Sequence, residues 1–201
     1  MAAFAQPSNR CATCACLLAP GLRQCGACIV DPPPLDACLA AVDYAYPWSN
    51  LVAEFKFLQH PAWATSFARL MRATPWVEPT MDAAHVLIPM PLSRQRLQER
   101  GYNQAQLLAC ALDAPKVAHD TLLRTVDTPP QRTLPRSERL RSVRHAFAVE
   151  PVHTDRVRGQ RILLVDDVMT SGASLHAAAR TLRQAGATQV AAVVFCRTGF
   201  P

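Results

Sequence analysis

The chain has 201 residues, a hydrophobic content of 50% and a formal net charge of +6. That suffices for one globular domain plus a small appendage, and the apolar share excludes wholesale disorder. No apolar run approaches the roughly 18 residues of a membrane-spanning helix, so no membrane insertion is expected. The opening MAAFAQPSNR lacks a basic region followed by an apolar core, so no secretory leader is expected and the protein is read as cytoplasmic. The positive charge is nearly all arginine: Lys56 and Lys116 are the only lysines, and nine arginines fall between Leu92 and Arg144. A planar guanidinium suits phosphate and carboxylate, so this clustering points to phosphate-bearing ligands, either a nucleotide or a nucleic-acid backbone.

The first element is a cysteine module. Cys11 and Cys14 form one C-x-x-C pair, and Cys25 and Cys28 form a second after the arm ACLLAPGLRQ. Two residues between cysteines let a tight turn aim both sulfurs at one ion, and two such turns supply the four ligands of a structural zinc. Pro20-Gly21 is a natural hairpin turn for the arm. Cys16 is an alternative ligand for the same ion. Disulfides fit a cytosolic chain poorly, and a redox C-x-x-C would sit beside a βαβ pattern that is missing here. Cys38, Cys110 and Cys196 lie in apolar contexts and read as packing residues. The segment DPPPLD, 31–36, reads as a linker, which puts the boundary of a 1–38 module before a main domain of 39–201.

Residues 39–47 carry aromatic and β-favouring side chains and predict a strand. Ser49 suits the cap of a helix to about His60, with Leu51, Val52, Phe55 and Leu58 at helical spacing. Pro61 suits the start of the next helix, whose apolar face holds Trp63, Phe67, Leu70 and Met71. His85–Pro89 is a short buried strand, 92–100 is a basic stretch, and Tyr102–Leu112 is a helix with Ala105, Leu108, Ala109 and Leu112 inward. Leu122–Thr125 is a short strand. Residues 126–145, with three prolines and five arginines, read as a long mobile loop, of the kind that is either functional or disordered. Arg161–Val165 and Gln189–Cys196 are apolar strands flanking a helix over Ala173–Ala185 that Gly186 ends. Strands alternating with helices predict an α/β fold with a parallel sheet.

The chemistry concentrates in ILLVDDVMTSGASL, 162–175. An apolar strand delivers Asp166 and Asp167 to its carboxyl end, where open α/β sheets bind ligands. Thr170, Ser171, Gly172, Ala173 and Ser174 then form a small-residue turn into a helix. Backbone N–H groups of such a turn and the positive end of the helix cradle an anion, and three hydroxyls add donors. The two carboxylates would repel a phosphate but suit a neighbouring diol, and they suit Mg²⁺ held through water. Anion cradle and diol acceptors side by side make a receptor for ribose 5-phosphate. A lone acid pair before a helix would be only a cap; the whole string is far more specific.

Residues 162–175 resemble the phosphoribosyl pyrophosphate signature of type I phosphoribosyltransferases. With PMPLSRQRLQERGYNQAQLLA (89–109), PPQRTLPRSERLRSVRHAF (129–147) and the cysteine pairs, the chain resembles the ComF family, linked to DNA uptake in competent bacteria. That resemblance implies a type I phosphoribosyltransferase-like sheet flanked by helices, with a small N-terminal four-cysteine zinc module. It implies that Asp166 and Asp167 contact the ribose hydroxyls and that Thr170–Ser174 hold the 5-phosphate. It places Arg94 and Arg96 at the diphosphate, makes 39–80 a hood, and makes 126–145 a loop covering the site. Mg²⁺ would accompany phosphoribosyl pyrophosphate. Purine-salvage relatives carry an acid where this chain has Thr170; a hydroxyl is no base near neutral pH, so salvage of six-oxopurines is disfavoured. Two activities follow: a phosphoribosyl transfer enzyme, or a weakly active or inactive accessory that binds nucleotide or single-stranded DNA and works with competence proteins.

Overall fold

The structure is a computed structural model that describes residues 5, 7–125 and 146–199. The predicted covering loop, 126–145, lies outside the described residues. Four strands build one parallel sheet in the order β1-β6-β5-β2: β1 (Ala37–Asp43), β2 (Val86–Pro89), β5 (Arg161–Met169) and β6 (Gln189–Arg197). A short antiparallel pair, β3 (Leu122–Arg124) and β4 (Phe147–Val149), stands apart from it. The central strands β5 and β6 are buried on both faces over Ile162–Val165 and Val190–Cys196, so these stretches read as unbroken apolar runs, not as alternating ones.

Two cores cover the faces of the sheet. On one face lie α2 (Trp48–Phe57), α3 (Trp63–Arg72), α4 (Val77–Ala83) and α6 (Gln104–Asp113). An aromatic cluster centres this core: the Phe67 ring stacks on Phe195 at 3.9 Å between centroids, and Phe55 meets Phe67 edge-on at 5.5 Å. Burying each such ring contributes about 1.5–3 kcal/mol, which fixes α2 over the sheet. The other face is covered by α7 (Ala173–Gln184), the cysteine module with its short helix α1 (Gly26–Val30), and β4.

The parallel sheet and most predicted elements are present, with shifted ends. Helix α2 starts at Trp48 and stops at Phe57, and α3 begins at Trp63, two residues after Pro61. Strand β5 runs on to Met169, because β6 supplies backbone partners that far. The basic stretch contains α5 (Arg94–Arg100), capped by Ser93 Oγ, which accepts from the Arg96 N–H at 3.3 Å, and ended by Gly101 at φ +78°. It buries no residue, so it leaves no apolar period to detect. The segment 31–36 is fastened down: Leu35 is buried, the Asp36 carboxylate accepts from the Val190 N–H at 2.7 Å, and it pairs with Arg183 at 2.6 Å.

Candidate functional site

A crevice opens where β2 stops and β5 continues. The β2–β5 ladder ends at Pro89 and Val165, whereas β5 stays paired to β6 through Met169. From β2 the chain passes to α6 on one face; from β5 it passes to α7 on the other. Adjacent strands whose connections leave on opposite faces part at their carboxyl ends, and ligands of open α/β sheets bind there. The crevice has a volume of about 300 Å³. Asp166 to Leu175 form its floor, and Lys56, Arg96, Arg100 and Arg124 stand in its walls. A larger cavity of about 530 Å³ lies elsewhere, between the cysteine module, β1 and α3–α4, and its lining is mostly apolar.

The turn 170–174 lies in this floor with Thr170 exposed and Ser171 and Ser174 half-buried. Gly172 is the residue before α7 and holds φ +80°. The backbone angle demands glycine, and a Cβ there would come within 2.5 Å of Met169 Cε and 2.8 Å of His176 Nε2, so those side-chain ends would also have to move. The turn is tied from behind by Arg197, which is 2% exposed. Its Nη1 donates to the carbonyls of Met169, at 3.2 Å, and Thr170, while its Nε donates to the Cys14 carbonyl at 2.9 Å. One buried guanidinium thereby joins the cysteine module to the start of the turn.

Asp166 and Asp167 face the same crevice. The Asp166 Oδ1 accepts from the Asp167 N–H at 2.9 Å. Burial first, and then the adjacent Asp167 charge, push the Asp166 carboxyl up to about 7, against smaller opposing pulls from Lys56, the Asp167 N–H and Arg100. Asp167 is 6% exposed, and its Oδ1 pairs with Lys56 Nζ at 2.9 Å.

Of the two arginines singled out in the sequence, Arg96 lines the crevice; Arg94, the exposed first residue of α5, is not among its lining residues. Arg100, one turn beyond Arg96, does line it. Burial lowers the Arg100 pKa, the charges of Asp167 and Asp166 oppose this, and Nη1 donates to Gln104 Oε1 at 2.9 Å. In sequence, Lys56 in the segment EFKF suits a phosphate contact or an ordinary surface lysine equally; the structure pairs it with Asp167 instead. The signal that identifies it is spatial, because Asp167 lies far away in sequence.

Cys11, Cys14, Cys25 and Cys28 come together with all four sulfurs within 4.8 Å of one another. The Cys14 and Cys25 sulfurs are 3.7 Å apart. Four sulfurs placed about 2.3 Å from a zinc ion stand about 3.8 Å apart, so the cluster fits a structural zinc. The chemistry of the donors agrees. Burial works against the Cys11 thiolate, but N–H groups of Cys25, Thr13 and Cys14 outweigh it and bring the thiol down to about 6. Cys14 and Cys28 are pushed up, chiefly by burial. Sulfurs this close carry one negative charge readily and resist more, which a divalent cation reverses. Cys16 is also buried but stands outside this set of four.

Residues 114–199 match the phosphoribosyl transferase domain family. The DNA utilization protein YhgH of Salmonella typhimurium is 30% identical over 207 residues, which cover 98% of this chain and 87% of that protein. Competence protein F of Haemophilus influenzae is 32% identical over 176 residues, 84% of this chain and 76% of that protein. Competence protein ComFC of Bacillus subtilis is 41% identical over 105 residues, 52% of this chain and 41% of that protein.

Proposed function

Because the chain belongs to the ComF family of phosphoribosyltransferase-fold proteins, we propose that its crevice binds the ribose 5-phosphate group of phosphoribosyl pyrophosphate. One observation carries this reading: a glycine-hinged turn at the mouth of α7 and two adjacent carboxylates share one small crevice. The N–H groups and hydroxyls of Thr170–Ser174 take the phosphate. Asp166 and Asp167 accept from the ribose hydroxyls. Arg96 and Arg100 take the diphosphate, with Arg94 beside them at the exposed start of α5.

The reaction is displacement at the anomeric carbon by a nucleophilic acceptor, with pyrophosphate leaving. Mg²⁺, when bound with the substrate, neutralises diphosphate oxygens. This chain holds the sugar by its hydroxyls and phosphate and offers guanidinium groups to the charge that grows on the leaving oxygens. The predicted role of 126–145 is to cover the site and exclude water. The cysteine module holds zinc structurally. We place the protein in the cytoplasm, in DNA uptake or nucleotide metabolism; its relatives are named for DNA utilization and for competence, and among the described residues no helix is long and apolar enough to cross a membrane.

Calorimetric titration with phosphoribosyl pyrophosphate and Mg²⁺ tests the site. The wild type binds, and the double variant Asp166→Asn/Asp167→Asn loses at least tenfold in affinity, about 1.4 kcal/mol; equal affinity removes the site. Pyrophosphate release across a panel of amine and base acceptors then separates an enzyme from an accessory. The second reading, a single-stranded DNA-binding accessory, draws on the exposed basic α5 beside the crevice. It predicts binding that weakens steeply with salt and shows little base preference.

A further inference from the structure

We propose that Lys56 is a positioning residue that sets Asp167 to read a ribose hydroxyl, so that the site selects ribose phosphates over 2-deoxyribose phosphates. This deepens the reading of the crevice as a ribose 5-phosphate receptor and rests on it.

Lys56 sits in the last turn of α2, and its backbone is held from several sides. Trp48, Val52 and Phe55 of the same helix are buried. The Phe55 carbonyl accepts from Tyr102 Oη at 2.5 Å and from Gln104 Nε2 at 3.5 Å. The ammonium therefore reaches the crevice from a fixed base. It meets Asp167 Oδ1 at 2.9 Å, with the two side chains 17% and 9% exposed. That pair is drier than the other ion pairs found among the described residues.

Oxygen bookkeeping gives the pair its purpose. Asp166 Oδ1 is engaged by the Asp167 N–H, and Asp167 Oδ1 by Lys56. Among the described residues, no hydrogen bond or ion pair engages Oδ2 of either acid. Each carboxylate is thus held by one oxygen and offers the other, two acceptors for two vicinal hydroxyls. Asp166 is held by its neighbour's backbone, which no side-chain change removes. Asp167 is held by Lys56, whose charge also offsets the repulsion of two adjacent acids. A 2-deoxyribose lacks one of the two donors and leaves one of these acceptors unmet, the kind of mismatch that discriminates between ligands.

The test is calorimetric titration of the full chain with ribose 5-phosphate, 2-deoxyribose 5-phosphate and inorganic phosphate. The variants are Lys56→Met, Lys56→Arg, Asp167→Asn and the double variant Lys56→Met/Asp167→Asn. The wild type should prefer ribose 5-phosphate to its deoxy analogue by about tenfold or more, the scale of one lost hydrogen bond to a charged group. Lys56→Met should bring the two sugars together while leaving inorganic phosphate within about twofold of wild type, and Lys56→Arg should restore part of the preference. In the Asp167→Asn background, Lys56→Met should add nothing, as expected of a residue acting through its partner. A purely structural role would weaken all three ligands alike and overturn the proposal. So would an unchanged ribose preference in Lys56→Met, tighter ribose binding in that variant, or additive effects in the double variant. A wild type that binds none of the three ligands would instead remove the receptor reading itself.

Discussion

At the scale of single residues, the site depends on a glycine and an acid whose surroundings define them. Gly172 combines φ +80° with a direction in which a methyl group would strike Met169 and His176. Gly172→Ala should cost about 1–3 kcal/mol of stability from backbone strain and contact. Because a side chain strains the turn's left-handed backbone at φ +80°, phosphate affinity should fall as well, by about tenfold (about 1.4 kcal/mol); thermal unfolding and titration measure the two. For Asp166 the folded carboxyl is raised from an ordinary 3.8 to about 7. Between those values the native chain keeps a proton that the unfolded chain has lost, so stability falls as pH rises from about 4 to about 7, by up to roughly 1.4 kcal/mol per unit. Urea midpoints at pH 5 and pH 8 should show this loss in wild type and a smaller one in Asp166→Asn. Ribose 5-phosphate binding should move the other way, strengthening as pH rises through 7 and the carboxylate becomes a full acceptor. The acids and the turn were plain in the sequence because they are contiguous. Lys56 and Arg100 were not, since each reaches the crevice through the packing of its own helix.

At the scale of elements, the turn 170–174 has a support behind it as well as a helix ahead of it. Arg197 closes β6 and ties the Cys14 carbonyl to those of Met169 and Thr170. Arg197→Met leaves the Cys14, Met169 and Thr170 carbonyls without that donor and should cost about 2–4 kcal/mol. The same change should loosen the turn, so phosphate affinity should fall while one metal per chain is retained; metal analysis alongside titration separates the two effects. Helix α5 shows the reverse case, an element recognisable by its ends alone. Ser93 caps it and Gly101 stops it, yet nothing in it is buried, so its place is set by short-range hydrogen bonds and by the loop from β2. An apolar-period search passes over such a helix.

At the scale of the whole molecule, the cysteine module and the sheet share a core. Cys11, Cys14, Cys16 and Cys28 lie in one buried cluster with Ile162, Leu164, Leu175 and Val194. The Cys38 N–H donates to the Ala12 carbonyl at 2.8 Å, and Arg10 pairs with Asp43 at 2.9 Å. Removing zinc should therefore lower the melting temperature of the entire chain in a single transition; a separate early transition with an unmoved main one would show an independent module. Cys11→Ser should lose the metal, and Cys16→Ser should keep it, as read by a colorimetric zinc assay. By itself, the sequence determined the parallel α/β sheet, the two C-x-x-C pairs and the 166–174 stretch, because each is written in local spacing: apolar runs, paired cysteines, acids followed by a small-residue turn; that Cys16 stands outside the four ligands was decided by the structure. Only the tertiary structure decided which arginines face the crevice, that Lys56 meets Asp167, and that Arg197 braces the turn from the cysteine side. Those pairings join segments far apart in the chain, and the periodicity of a helix says which face is buried but not which distant charge that face will meet.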